Sequence, residues 1–183
     1  ILEAFTHAGA ANEVKVKIES IHSEYLKPEN IATKLAHLDG VLVAPGFGER
    51  GIEGKIEAIR YVREQNIPFF GICLGMQMAV IEFSRNILGL TAANSSEMDP
   101  ETPHPVIAIM EAQKNITEKG GTMRLGAWKC DLSKATKIES IYNTSSIMER
   151  HRHRYEFNND YKTPLENAGM MASGFNPQTG LVE

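Results

Sequence analysis

Only two cysteines, Cys73 and Cys130, occur in the 183 residues, too few for a disulfide framework. No apolar run approaches the length that crosses a bilayer, and the N-terminus lacks the basic, apolar, small-residue order of a secretion signal. These absences argue against membrane insertion, and the expected compartment is a reducing cytoplasm. Positive charge is not in excess either. A formal charge of -4 and a pI near 5.9 give no general attraction for a polyanion, so nucleic acid is not an expected partner. Small molecules or proteins remain. Internal repeats, low-complexity linkers and metal-ligand spacings are missing too. What is present, 42% hydrophobic and 23% charged residues, is the composition of one soluble globular domain spanning 1-183.

Taken in order, residues 1 to 9 read as a helix ending at Gly9, a residue suited to a left-handed cap. Val14, Val16 and Ile18 alternate with charged residues in period two, which predicts a half-buried strand near a sheet edge. The 20s and 30s form a polar connection with a short helix. Val41-Leu42-Val43-Ala44 reads as a central parallel strand, followed by the loop Pro45-Gly46-Phe47-Gly48. Ile52, Ile56, Ile59 and Val62 follow at helical spacing, and residues 67 to 72 form the next apolar run. Strand, helix, strand is an α/β unit. The segment from Leu74 to about Asn86 is apolar on nearly every side and reads as an enclosed helix. Gly89 to Pro105 is a long polar stretch suited to a binding loop, 106 to 110 a strand, and the end of the chain a hairpin.

The chemistry centres on Gly71-Ile72-Cys73-Leu74-Gly75-Met76-Gln77. A nucleophile on a sharp strand-to-helix turn tolerates almost no side chain two residues before and two after it, and Gly71 and Gly75 meet that demand. The helix terminus should favour a thiolate, lowering the thiol pKa. The same spacing also suits a small apolar cysteine in a core strand, so on these residues alone both readings stand. Arg150 to Tyr155, if extended, places three arginines on one face and His151, His153 and Tyr155 on the other; on these residues alone a solvated basic strand or a phosphate patch is the favoured explanation.

Taken together, Gly46-Phe47-Gly48, the Cys73 turn, Asn94-Ser95-Ser96-Glu97, GGTMRLG from Gly120 to Gly126, and RHRHRYE from Arg150 resemble the CTP synthase glutaminase family. This is a branch of the triad-type (class I) glutamine amidotransferases. The resemblance runs through practically the whole chain in order. It implies a flavodoxin-like α/β fold, an open, mostly parallel sheet with helices on both faces. It further implies that Cys73 attacks the side-chain amide of glutamine, releasing ammonia through a glutamyl thioester. Leu74 and Gly46 would supply the oxyanion-hole N–H groups, and Gly46, Leu74, Gly75, Met76, Gln77, Glu97 and Arg154 would form the glutamine site. Where the family loop reads proline-glycine-glycine this chain has Ala44-Pro45-Gly46, which keeps the donating glycine. Arg124 would serve a lid linked to GTP activation. In the intact protein the resemblance implies an N-terminal amidoligase domain using ATP, UTP and Mg, with GTP as activator, in a homotetramer; no cofactor is expected within these residues.

Relative to that family, the first strand and the His-Pro-Glu segment that completes the triad are not found between Ile1 and Glu183, so the domain is expected to be truncated at both ends and inactive alone. None of the six histidines substitutes by position: His104-Pro105 is followed by Val106 and reads as a loop. Competing readings are the glutaminase of GMP, carbamoyl phosphate or anthranilate synthesis, a non-catalytic assembly module, and a cysteine hydrolase or chaperone of the flavodoxin-like superfamily. GGTMRLG and RHRHRYE discriminate against the first group.

Overall fold

Val41–Val43 (β1) and Phe69–Gly71 (β2) pair in parallel, Val41 opposite Phe69 and Val43 opposite Gly71, with helix Ile52–Glu64 (α3) crossing between them. The computed structural model describes residues 1–109 and 124–183. Helix α3 buries Ile52, Ile56, Ile59 and Val62, the residues whose spacing marked a helical face. From β2 the chain turns directly into Leu74–Asn86 (α4), which matches the extent read from the sequence. Its fully buried Met78 and Ile81 join Val43, Ile56, Ile59, Val106, Ile107 and Phe157 in the main core. The α/β class read from the sequence is borne out.

Of the two ion pairs that join these helices, Arg85–Glu53 and Arg63–Glu82, the second is the buried one. Glu82 on α4 is 1% exposed and accepts three hydrogen bonds from Arg63 on α3, at 2.7, 3.0 and 3.1 Å. A carboxylate in that position is tolerated only because a guanidinium fork meets it. Arg63→Ala is expected to cost about 2 kcal/mol in urea denaturation, because it strands the buried acid; Arg60→Ala one turn away, whose partner Glu57 remains solvated enough to stand alone, should cost under about 1 kcal/mol.

Beyond α4, Ala93–Ser95 (β3) pairs in parallel with His104–Ile109 (β4), and β4 pairs antiparallel with Tyr155–Phe157 (β7). A long antiparallel ribbon joins Arg124–Leu132 (β5) to Ser146–His153 (β6), and Gly174–Phe175 (β8) adds to β5. Leu2–Ala11 (α1), Ile31–Leu35 (α2), Lys137–Tyr142 (α5) and Lys162–Asn167 (α6) complete the described helices. The terminal hairpin is present, with Phe175 bridging antiparallel to Val182.

Several local expectations are corrected. Helix α1 runs past Gly9 to Ala11, and the left-handed residue is Glu13, at φ 55°. Gly9 is needed for close approach instead: a Cβ there would lie 2.8 Å from the Val14 carbonyl oxygen. Val14 to Ile18 forms no strand, and Val14 and Val16 are 60% and 39% exposed. His104 opens β4 and is no loop residue, and the Gly89 to Pro105 stretch contains β3. The expected strand over 106 to 110 is β4 as far as Ile109; Met110 lies outside the described residues.

Candidate active site

The turn between β2 and α4 holds Cys73 at φ 57° and ψ -109°, a backbone conformation that residues with a Cβ rarely adopt. The surroundings enforce it. A Cβ on Gly71 would lie 2.6 Å from the Gly75 carbonyl carbon, and one on Gly75 would press into the Val43 carbonyl oxygen of β1. Helix and strand therefore meet backbone to backbone, and the cysteine is pushed outward. The thiol is half-buried, whereas Cys130 is only 2% exposed.

The backbone N–H groups of Leu74 and Gly46 lie near enough to the Cys73 sulfur to lower its pKa. They come from the first residue of α4 and from the loop after β1, which is packed so closely that a Cβ on Gly46 would sit 3.3 Å from Leu74 Cδ2. Two such donors converging beside a nucleophile are the arrangement that stabilises an oxyanion. The thiol pKa is nonetheless raised above its ordinary value, because burial outweighs the two N–H donors and the Glu156 and Glu97 carboxylates add to the rise. The lowering expected from the helix terminus is thus corrected. The thiolate is the reactive form, so alkylation of Cys73 by iodoacetamide should be slower at pH 7.5 than for a free thiol and keep accelerating above pH 9. A rate that levels off near pH 7 would contradict this.

Cys73 opens onto a cavity of about 110 Å³. Glu97 and Arg154 stand in its wall, as do Gly46 and Gln77. Burial raises the Glu97 pKa, opposed by the Gly48 N–H that its carboxylate accepts and by attraction to Arg154. Arg154 sits at the bend between β6 and β7 rather than within the strand, and its buried Nε has no protein acceptor among the described residues. Gln77, on the second turn of α4, donates from Nε2 to the Tyr155 carbonyl at 2.9 Å, tying the nucleophile helix to that bend. The predicted group is therefore largely brought together. Met76 packs against the main core instead of the cavity, and Gly75 acts through its missing side chain.

Arg124 lies elsewhere. It is 4% exposed, its guanidinium donating to Glu156 at 3.5 Å and to both oxygens of Glu183, a geometry unsuited to reading a ligand at a surface lid. Gly120 to Met123, the rest of the expected lid's start, lie outside the described residues. Phe47, Arg152, His153 and Tyr155 also line the cavity; all four lie in the sequence motifs but were not among the residues expected at the glutamine site. Phe47 is 65% exposed beneath the Arg152 guanidinium, 5.8 Å from its ring centroid. Their signal was the glycine-flanked loop and the alternation of β6, whose exposed Arg150 and Arg152 and half-buried His151 and His153 do fall on opposite faces.

A larger depression of about 660 Å³ lies beside α5, lined by residues such as Thr136, Lys137 and Ser140. It is shallow and open and has no cysteine in its lining, so the smaller cavity is the candidate site. Among the described residues no group of three or more His, Cys, Asp or Glu is placed to hold a metal ion, and no helix is long and apolar enough to cross a membrane.

The family model for class-I glutamine amidotransferases matches residues 1–182. The chain is 70% identical over 183 residues to a CTP synthase of Flavobacterium johnsoniae and 57% identical to one of Bacteroides fragilis; in each case all of this chain aligns with 34% of the relative. The chain thus spans about a third of the length of the curated relatives it matches. Among solved structures, the glutaminase domain of Trypanosoma brucei CTPS with bound acivicin superposes with a TM-score of 0.92 at 39% identity, covering 100% of this chain and 72% of that one.

Proposed function

The chain belongs to the class-I glutamine amidotransferases, in the branch of the CTP synthase glutaminase domain, and from that premise we propose that it hydrolyses glutamine at Cys73. The observation that carries the reading is Cys73 at the turn into α4, opening onto the cavity with the Gly46 loop packed on Leu74 and the N–H groups of both near its sulfur. The sulfur, as thiolate, adds to the side-chain carbonyl carbon of glutamine. Negative charge then develops on the carbonyl oxygen, between those two donors. Collapse breaks the C–N bond, the nitrogen leaves as ammonia once protonated, and a γ-glutamyl thioester remains on Cys73. Water cleaves the thioester to glutamate and restores the thiol. At the other end of the substrate, Glu97 takes the α-ammonium and Arg154 the α-carboxylate, the latter consistent with a buried guanidinium Nε in want of an acceptor.

Thioester hydrolysis needs a base, and the leaving nitrogen a proton. In this family an imidazole held by the carboxylate of a His-Pro-Glu segment supplies both, and none of the histidines between Ile1 and Glu183 is followed by Pro-Glu. A polypeptide of these residues alone is therefore inferred to capture substrate mimics without efficient turnover. In the longer protein the ammonia passes to an amidoligase domain, which with ATP and Mg aminates UTP to CTP; GTP activates, and the protein is a tetramer. Arg124, buried between two acids, acts on the architecture of the site rather than as a nucleotide contact.

Treatment of the 183-residue polypeptide with a chloroketone analogue of glutamine tests the proposal. An adduct on Cys73 that excess glutamine prevents, with little steady ammonia release, is the expected result. Adducts on Cys130 alone, or none, would overturn the assignment of the nucleophile, and ammonia release at the rate of the longer protein would overturn the missing-base argument.

A further inference from the structure

Behind the cavity wall, three strands and the end of the chain bring together five ionisable side chains. They are Arg124 on β5, His151 and His153 on β6, Glu156 on β7, and Glu183. Arg124 donates to carboxylate oxygens of both acids. The buried Nε2 of His151 has no well-aligned partner among the described residues, and the acceptor nearest to it in this cluster is Glu183 Oε2 at 3.2 Å. A carboxylate can only accept, so a carboxylate facing that nitrogen favours the form of His151 with its proton on Nε2 and Nδ1 bare. That Nδ1 faces Nδ1 of His153 at 3.1 Å, so the shared proton belongs to His153. Glu156 Oε1 lies 3.6 Å from the same atom, too far for a hydrogen bond, and its negative charge favours the same form. Burial first, and the Arg124 charge with it, holds both imidazoles near a pKa of 4, hence neutral. A neutral imidazole protonated on Nδ1 has a lone pair on Nε2. His153 belongs to the wall of the Cys73 cavity.

On the reading of this cavity as a glutamine site, we propose that His153 is a substrate-binding residue whose Nε2 accepts a hydrogen bond from a nitrogen of glutamine. The relay from Glu183 through His151 fixes the tautomer that makes it an acceptor. Glutamine carries N–H groups at both ends, whereas the arginines and oxyanion donors of this cavity can only give hydrogen bonds. Acceptors are the scarce partners there, and an imidazole in the other tautomer, or a charged one, would repel either nitrogen.

The test uses the full-length protein labelled with ¹⁵N-histidine, at pH 8, where Glu156, raised by burial to about 7, is ionised. Proton–nitrogen correlation spectra should show His153 as the Nδ1–H tautomer and His151 as the Nε2–H tautomer, and Glu183→Gln should mix them. His153→Leu should raise the KM for glutamine about tenfold with a smaller change in kcat, His153→Gln should restore part of the loss, and ammonia-dependent synthesis should be unchanged. The γ-methyl ester of glutamate, which keeps the ammonium but lacks the carboxamide N–H, separates the two ends. A KM rise for both substrates assigns the contact to the ammonium, and a rise for glutamine alone assigns it to the carboxamide. An Nε2–H tautomer at His153, or an unchanged KM for both, overturns the proposal. Failure of the parent protein to use glutamine would instead count against the amidotransferase reading, which the spectra do not depend on.

Discussion

Cys73→Ala is expected to eliminate covalent capture of glutamine-mimicking electrophiles and to lower glutamine-dependent turnover of the longer protein by about 10⁴-fold or more, the scale seen when a covalent nucleophile is removed. The reason is positional as much as chemical. Only one of the two cysteines reaches the cavity, and the other, Cys130, is 2% exposed with its thiol pushed up to about 11, chiefly by burial. It packs so tightly on β8 that a Cβ at Gly174 would come within 2.7 Å of its sulfur. Cys73→Ser should be nearly as inert, since an alcohol half-buried beside two carboxylates is a far weaker nucleophile than even a raised-pKa thiol. Ammonia supplied directly should bypass the lesion, because the damage is confined to glutamine cleavage. The measurement is a pair of rates, with glutamine and with ammonium salt. Equal losses in both would mean that the substitution had disturbed the fold and not the chemistry.

The parts of this site visible in the sequence were those specified by neighbours along the chain. Gly71 and Gly75 flank the nucleophile within one turn, and the limits of α4 follow from a run of apolar residues that only a helix can bury. The parts that were not visible depend on partners distant in sequence. The alternation of Val14, Val16 and Ile18 states which face is apolar, but a strand needs a neighbour to supply its hydrogen bonds, and none of the described strands does. Gly9 was read for its backbone freedom when the operative fact was the nearness of Val14. The direction of the Cys73 pKa shift turned on competition between burial and two N–H donors, magnitudes that no motif contains. Arg124 illustrates the same limit. In a glycine-flanked segment an arginine reads as an exposed ligand contact, and only the fold reveals Glu156 and Glu183 on either side of it. His153 was noted but given no place in the site, because a histidine in an alternating basic run is ordinary until it is seen to share a cavity wall with Gly46.

Gly75→Ala is expected to damage both the fold and the site. The added methyl would drive into the Val43 carbonyl oxygen, which already accepts the Ile72 N–H at 3.1 Å. Neither partner is the flexible end of a side chain, so relief requires α4 to back away from β1. That motion would open the main core along Leu74 and Met78, both at most 2% exposed, and pull the Leu74 N–H off the sulfur. A loss of about 3 kcal/mol or more is expected, the upper end of overpacking costs, together with loss of Cys73 capture in whatever fraction remains folded. Gly48→Ala supplies the contrast. Its φ of +77° disfavours a side chain, yet a Cβ there meets nothing within 4 Å, so backbone strain alone should cost about 1 kcal/mol. Urea midpoints and chloroketone labelling of the two variants separate crowding from strain. Near-equal stabilities would mean that helix and strand have room to part, and the tight backbone contact would no longer account for how Cys73 is held.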